Sequence, residues 1–448
     1  MTTSCDSGSP PTLLRGITRV HLIGLLINAI VGAGILGLPS TTFALVGSYS
    51  VITWLICGLV VSAIALCLAE VSTRFRDSGG PYLYAHVVFG PTVGFITGWL
   101  RWIASVLSFA TVLNLLVAYL SLIIPAVAGG AGRFLTITIV TGGLTVILGR
   151  GLRGTVWMSS VLSIGKLLFL ALFILVGAFF FDASRIHMAP VPGPYDVAAA
   201  LLLSIFAFFG FEAGAIAAGE VADPERDQPV AILASVGLTT LLFALLQLVC
   251  VGTLDSLAAS SRPVAEAATA MLGSAGGWLV TVGALLLLLG ALLAVLIGGS
   301  RTLYAMGERA QMPIAVASVH ARWRTPLVAI VIAGACAWIA TLASTFTTAI
   351  TIAVGTRVLS YMVICAALPV LRRRSDAPAA RFRLPAGDLI AGIAILASLG
   401  LLAAAPAREA IAIAVLVGIG LLTQKLLRRD YYPALRTGFH TELDSADR

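Results

Sequence analysis

Apolar runs of about twenty residues recur along nearly the whole of this sequence, and no other feature narrows its fold so far. A helix needs about 20 apolar residues to cross the hydrocarbon core of a bilayer. Runs of that kind fall at 18–43, 49–73, 92–124, 134–149, 155–181, 196–220, 229–254, 277–306, 326–344, 347–371, 387–405 and 409–427. They predict an all-α membrane protein of about twelve transmembrane helices.

Composition removes the soluble alternatives. Charged residues make up 11% of the 448 positions and hydrophobic ones 59%, whereas a soluble domain carries about a quarter charged residues. Such a chain cannot cover a water-facing surface. The net charge of +8 is not a nucleic-acid footprint either, because Lys and Arg sit in short loops between apolar runs: Arg74 and Arg76, Arg150 and Arg153, Arg322 and Arg324, Arg372 to Arg374. With twelve crossings, about 21 of them fall on the side of the two termini and about 4 on the other, which places both termini in the cytoplasm by the positive-inside rule.

The sequence then divides into a disordered cytoplasmic tail (1–16), a first five-helix unit (17–181), a second (195–371), two further helices (387–428) and a cytoplasmic C-terminal tail (429–448). The first sixteen residues lack the charged-then-apolar order of a cleaved signal peptide. Cys5, Cys57, Cys67, Cys250, Cys336 and Cys365 form no C-x-x-C pair and read as small apolar residues. No cofactor or metal site is expected. No P-loop is present, so a gradient or exchange must supply the energy for any transport.

Two of the predicted spans are interrupted. The first reads Asn28-Ala-Ile-Val-Gly32-Ala-Gly34-Ile-Leu-Gly37-Leu-Pro39. Gly costs about 1 kcal/mol and Pro about 3 in a helix interior, so this stretch predicts a break. The sixth reads Phe206-Ala-Phe-Phe-Gly210-Phe-Glu212-Ala-Gly214. Broken backbone at membrane depth is tolerated only where it is buried in protein or lines a cavity, and paired interruptions in two halves point to a transporter's binding site. Tight packing through small residues is the alternative. Gly32, Gly34 and Gly37 also spell a dinucleotide fingerprint, but that motif needs a strand before it, and here it lies inside an apolar span.

Arg101, Lys166 and Arg357 lie within spans, with Glu70, Glu212 and Glu220 at or near the same depth. A charge at mid-bilayer costs about 2.5–3.5 kcal/mol on insertion scales, so such residues usually face a cavity or a partner. Arg101 and Glu70 can instead reach a helix end and snorkel, and both readings stay open.

Five patterns together resemble the amino acid–polyamine–organocation transporter superfamily over most of the chain. They are Ile30-Val-Gly32-Ala-Gly34-Ile with Pro39; Ser78-Gly79-Gly80-Pro81-Tyr82-Leu-Tyr84-Ala85 before Gly90 and Trp99; Phe206 to Glu212 running on to Asp223-Pro224-Glu-Arg226 and Pro229; Arg301-Thr302-Leu303-Tyr304-Ala305 with Pro313, His320 and Pro326; and Arg372-Arg-Arg374 before Arg381-Phe-Arg383-Leu-Pro385.

The resemblance implies an inverted-repeat fold of two five-helix units, spans 1–5 and 6–10, with helices 1 and 6 broken and two helices added. It places substrate between the breaks. By resemblance, Ile30, Ala33 and Gly34 flank the substrate carboxylate, which takes N–H groups from Ala33 and Gly34. Phe206, Ala207 and Phe209 offer carbonyls to its ammonium, and Phe206 is also the aromatic gate. Ala104, Ser105, Phe109 and Val295 surround the side chain. The arginine antiporters of the superfamily carry a tryptophan at the place of Val295, which argues against close kinship with them.

Lys166 takes the place where sodium sits in sodium-coupled relatives. It either cycles its proton, since burial disfavours the charged form, or is a fixed cation on span-one carbonyls. Glu212 matches an acid that senses protons in some relatives, or it is a strut holding the break.

The expected function is a secondary active transporter, or permease, in the plasma membrane. It moves amino acids, neutral ones first, by alternating access and with proton coupling. An exchanger of cationic amino acids or polyamines is the alternative, and a nutrient sensor or channel is the alternative of another class. An enzyme is not expected, because His21, His86, His187, His320 and His440 lie at span ends or in loops. The expected partners are a small-molecule amino acid or amine, protons and the lipid bilayer, with no nucleic acid; the oligomeric state stays open.

Overall fold

The computed structural model of the protein describes residues 18–75, 80–151, 155–188, 190–212, 224–375 and 377–431. The expectations for the tail 1–16, for Ser78 and Gly79, for Glu220 and Asp223, and for the chain beyond 431 lie outside the described residues.

Every regular element among the described residues is helical. The α-helices are α1 (Arg19–Ile30), α2 (Gly34–Val46), α3 (Ser50–Ser72), α4 (Gly80–Phe89), α5 (Pro91–Leu120), α6 (Gly130–Gly149), α7 (Thr155–Phe179), α8 (Pro194–Ser204), α9 (Pro224–Thr253), α10 (Pro263–Glu308), α11 (Leu327–Ala343), α12 (Phe346–Arg373), α13 (Gly387–Ala403) and α14 (Ala407–Tyr431). Seven stretches are long and apolar enough to cross a bilayer unaided, and five apolar helices of 10–17 residues are shorter. The short ones include α1 and the run Pro194–Phe208, each half of a broken span. The chain is an all-α, multi-pass membrane protein with the two interrupted helices that the sequence announces.

α5 is the hub. It packs against α10, α12, α11, α4 and α14, and 72% of its most apolar window is buried, against 17% for α6 and for α14. The peripheral pair shows Ile139 and Val146, or Ile411, Val415 and Leu422, on the outside. In a bilayer that surface meets lipid, so its exposure costs nothing.

Three local features differ from the expectation. The break in the first span is confined to Val31–Ala33, and Pro39 sits inside α2 rather than ending a helix. The Pro39 carbonyl accepts from the buried Gln247 Nε2 at 3.1 Å, and Gln247 Oε1 accepts from Trp54 Nε1 at 3.2 Å. A polar bracket thus ties α2 to α3 and α9 beside the proline. Second, Gly80–Phe89 forms a short helix that no twenty-residue run could reveal. Third, α10 contains a break at Gly273, whose φ of +67° lies in the left-handed region open to glycine. Ten residues, Pro263 to Leu272, therefore form a separate short helix before the expected span.

The close boundary between the ninth and tenth spans is present. Ser344 and Thr345 separate α11 from α12, and Thr345 Oγ1 accepts the Thr348 N–H at 3.3 Å as an N-cap.

Candidate functional site

The two broken segments meet face to face through glycines. A methyl group built on Gly34 would lie 2.7 Å from Ala207 Cα. Reciprocally, one built on Gly210 would collide with the Ala29 carbonyl, and Gly210 itself has φ +120°. Each break thus needs glycine where the other passes.

Interruption leaves helix ends at membrane depth. α1 ends with carbonyls that have no partner further along its own helix, and α2 begins with N–H groups in the same position. Lys166 of α7 answers the first need. Its ammonium donates to Asn28 Oδ1 at 3.1 Å, the Val31 carbonyl at 3.3 Å and the Asn28 carbonyl at 3.5 Å. A cation at a helix C-terminus also complements the helix dipole. The start of α2 faces a cavity instead, where its free N–H groups and positive dipole end suit a carboxylate.

That cavity measures about 450 Å³, within the range of small-molecule sites, roughly 300–1,000 Å³. Ile30, Ala33, Gly34, Ser105, Phe206, Ala207, Phe209 and Val295 all line it, as do Lys166 and Glu212. Phe206 is 6% exposed, with its ring 5.2 Å from that of Phe209.

Ala104 and Phe109 are buried but do not line the cavity. The lining face of α5 is Arg101, Ser105, Ser108 and Val112, a stripe at i, i+4, i+7 and i+11. At about 100° per residue, Ala104 and Phe109 fall on its flanks, and Phe109 joins the hydrophobic core. Ser108 and Val112 take their place.

Sequence reasoning placed Arg101 and Arg357 within spans and left open which partner they meet. Both bind Glu212. Arg101 Nη1 lies 3.4 Å and Arg357 Nη1 3.2 Å from Glu212 Oε1. The Tyr361 hydroxyl donates to Oε2 at 3.3 Å and the Gly210 N–H at 3.0 Å. The Arg357 guanidinium also lies over the Phe209 ring, 4.1 Å from its centroid. Arg101 therefore does not snorkel, and neither does Glu70, which is fully buried between Arg372 and Arg74. The signal was present in the sequence: an acid and two bases at one depth in so apolar a chain are expected to pair.

A cavity of amino-acid size between two interrupted helices of an all-α membrane protein defines a transporter. The chain matches the family described as amino acid permease over residues 17–421, and it belongs to that family, whose members are transporters rather than enzymes. It is 28% identical to the methylthioribose transporter of Bacillus subtilis (strain 168), over 84% of this chain and 85% of the relative. It is also 28% identical to the branched-chain amino acid permease BcaP of the same organism, over 86% and 87% of the two chains. The serine/threonine exchanger SteT, again of Bacillus subtilis (strain 168), is 28% identical over 86% of this chain and 90% of its own.

Proposed function

We propose that this permease carries amino acids without a cationic side chain, neutral ones among them, across the plasma membrane by alternating access, with both termini in the cytoplasm. The observation that carries the reading is the single cavity lined by both breaks. The start of α2 offers N–H groups for a carboxylate, and the facing turn through Ala207 and Phe209 offers carbonyls for an ammonium. The walls support the side-chain restriction. Among the described residues that line the cavity, Arg101, Lys166 and Arg357 are basic and Glu212 alone is acidic, so a cationic side chain would meet net repulsion. The names of BcaP and SteT, which refer to uncharged amino acids, agree with this.

For coupling we propose protons rather than sodium, with Lys166 holding the positive charge at the end of α1. Exchange is the second reading, favoured by the three oxygens that fix the Lys166 ammonium. Proteoliposomes loaded with buffer or with unlabelled amino acid separate the two. Uptake of labelled leucine or serine driven by a pH gradient supports coupling, and uptake only from preloaded vesicles supports exchange. No flux of any amino acid under either condition would end the transporter reading in favour of a sensor.

A further inference from the structure

We propose that the Arg101–Arg357 end of the cavity is a subsite for an anionic group, supplied either by a substrate's side-chain carboxylate or by a free anion that accompanies an uncharged substrate. The inference rests on the amino-acid reading above and goes further into the same cavity.

Charge is the first argument. Lys166 is turned towards Asn28 and the Val31 carbonyl, so its charge is held by the end of α1. Two guanidiniums then share one carboxylate, since both Nη1 atoms approach the same Glu212 Oε1. Among the described residues one positive charge is left over in a cavity whose other walls are mostly apolar or small, Gly290, Ala291, Val295 and Gly298 among them, with the hydroxyls of Ser105 and Thr302 as neutral polar groups. An uncompensated charge in such surroundings is strongly unfavourable, and an incoming anion removes the imbalance. An amino acid with an uncharged side chain is a zwitterion and does not.

The second argument is a vacant donor. Arg357 lines the cavity at 9% exposure, and its Nε–H is buried without a hydrogen-bond partner. Buried donors are nearly always satisfied, and a guanidinium presents its N–H groups as a planar fork that suits a carboxylate. Phe209 covers one face of that guanidinium, which fixes its plane. Glu212 is already saturated by the two arginines, Tyr361 and the Gly210 N–H, so it cannot serve as a receptor for cations.

The test compares near-isosteric amino acids on the intact purified protein. Thermal stabilisation and competition with labelled serine are measured for glutamate, glutamine, aspartate, asparagine, leucine and arginine, in chloride and in gluconate buffers. If the side chain fills the subsite, glutamate or aspartate binds about tenfold or more tightly than its amide, the size of one charge-assisted hydrogen bond, in both buffers. If a free anion fills it, glutamine and leucine bind more tightly in chloride than in gluconate, and the acids show no such gain. In Arg357→Gln either preference falls towards one. Because the comparison is made first in the native protein, a misfolded variant does not decide it. Equal binding of glutamate and glutamine with no chloride effect overturns the subsite, while leucine or serine binding still upholds the transporter reading. Absence of binding by every amino acid overturns the reading beneath it.

Discussion

Glu212 accepts from Arg101, Arg357, Tyr361 and the Gly210 N–H, donors on α5, on α12 and in its own segment. Donor-only surroundings of this kind suit a carboxylate, and we propose that the side chain is the strut that holds the sixth-span break. Removing one member of a buried ion pair costs about 3–5 kcal/mol. Glu212→Gln is therefore expected to lower the thermal midpoint markedly, and Arg101→Gln less, because Arg357 still pairs. Equal midpoints for wild type and Glu212→Gln would show that the cluster does not brace the fold. Gly34 sets a different kind of demand. With Ala207 Cα 2.7 Å from any added methyl, Gly34→Ala should abolish stabilisation by substrate while the protein stays helical and monodisperse. Substrate-induced stabilisation that survives in a well-folded Gly34→Ala protein would move the binding site elsewhere.

Between elements, the end of α3 is pinned to the end of α12. Arg372 donates to Glu70 through Nε at 2.9 Å and Nη2 at 2.6 Å, and the Leu384 N–H adds a bond at 2.8 Å. Glu70→Ala would remove the buried carboxylate shared by Arg372 and Arg74 and leave Arg372 only the Leu384 carbonyl and the exposed Asp388, so a marked loss of stability, up to about 3 kcal/mol, is expected, read as a lower denaturation midpoint in detergent. Arg372→Lys should lose part of this, because an ammonium cannot make the same bidentate contact. If Glu70→Ala melts with the wild type, the clamp is dispensable. Such cross-chain pairs mark the limit of what the sequence reveals. Span positions follow from local apolar runs, and the Val31–Ala33 break follows from local glycines. α4 escaped because ten residues are too few to register as a span, and the Gly273 break because it lies ahead of the apolar run that begins at 277. The placement of Arg101 opposite Glu212 depends on how α5 meets the sixth span, which no local pattern encodes. Ala104 and Phe109 were misplaced for a related reason: which face of α5 meets the cavity depends on how that helix packs against its neighbours.

Across the whole molecule, Phe206 lines the cavity beside Phe209, and we propose that its ring is the gate substrate must pass. Phe206→Ala is expected to slow transport several-fold with a smaller change in equilibrium binding, as flux and thermal-shift titration on the same preparation would show. A variant that binds and transports like the wild type would leave the ring as packing. Sodium should be dispensable, because the Lys166 ammonium already stands at the end of α1; accumulation driven by a sodium gradient alone would refute this. The mutual contact of the two breaks bears on how the molecule moves. Ala207 abuts Gly34 while Ala29 abuts Gly210, so neither interrupted helix can slide along its axis without driving backbone into backbone. Under the proposed alternating access the pair would therefore serve as a single lever, tilting as one piece, so that one swing that narrows the passage on one face of the membrane widens it on the other.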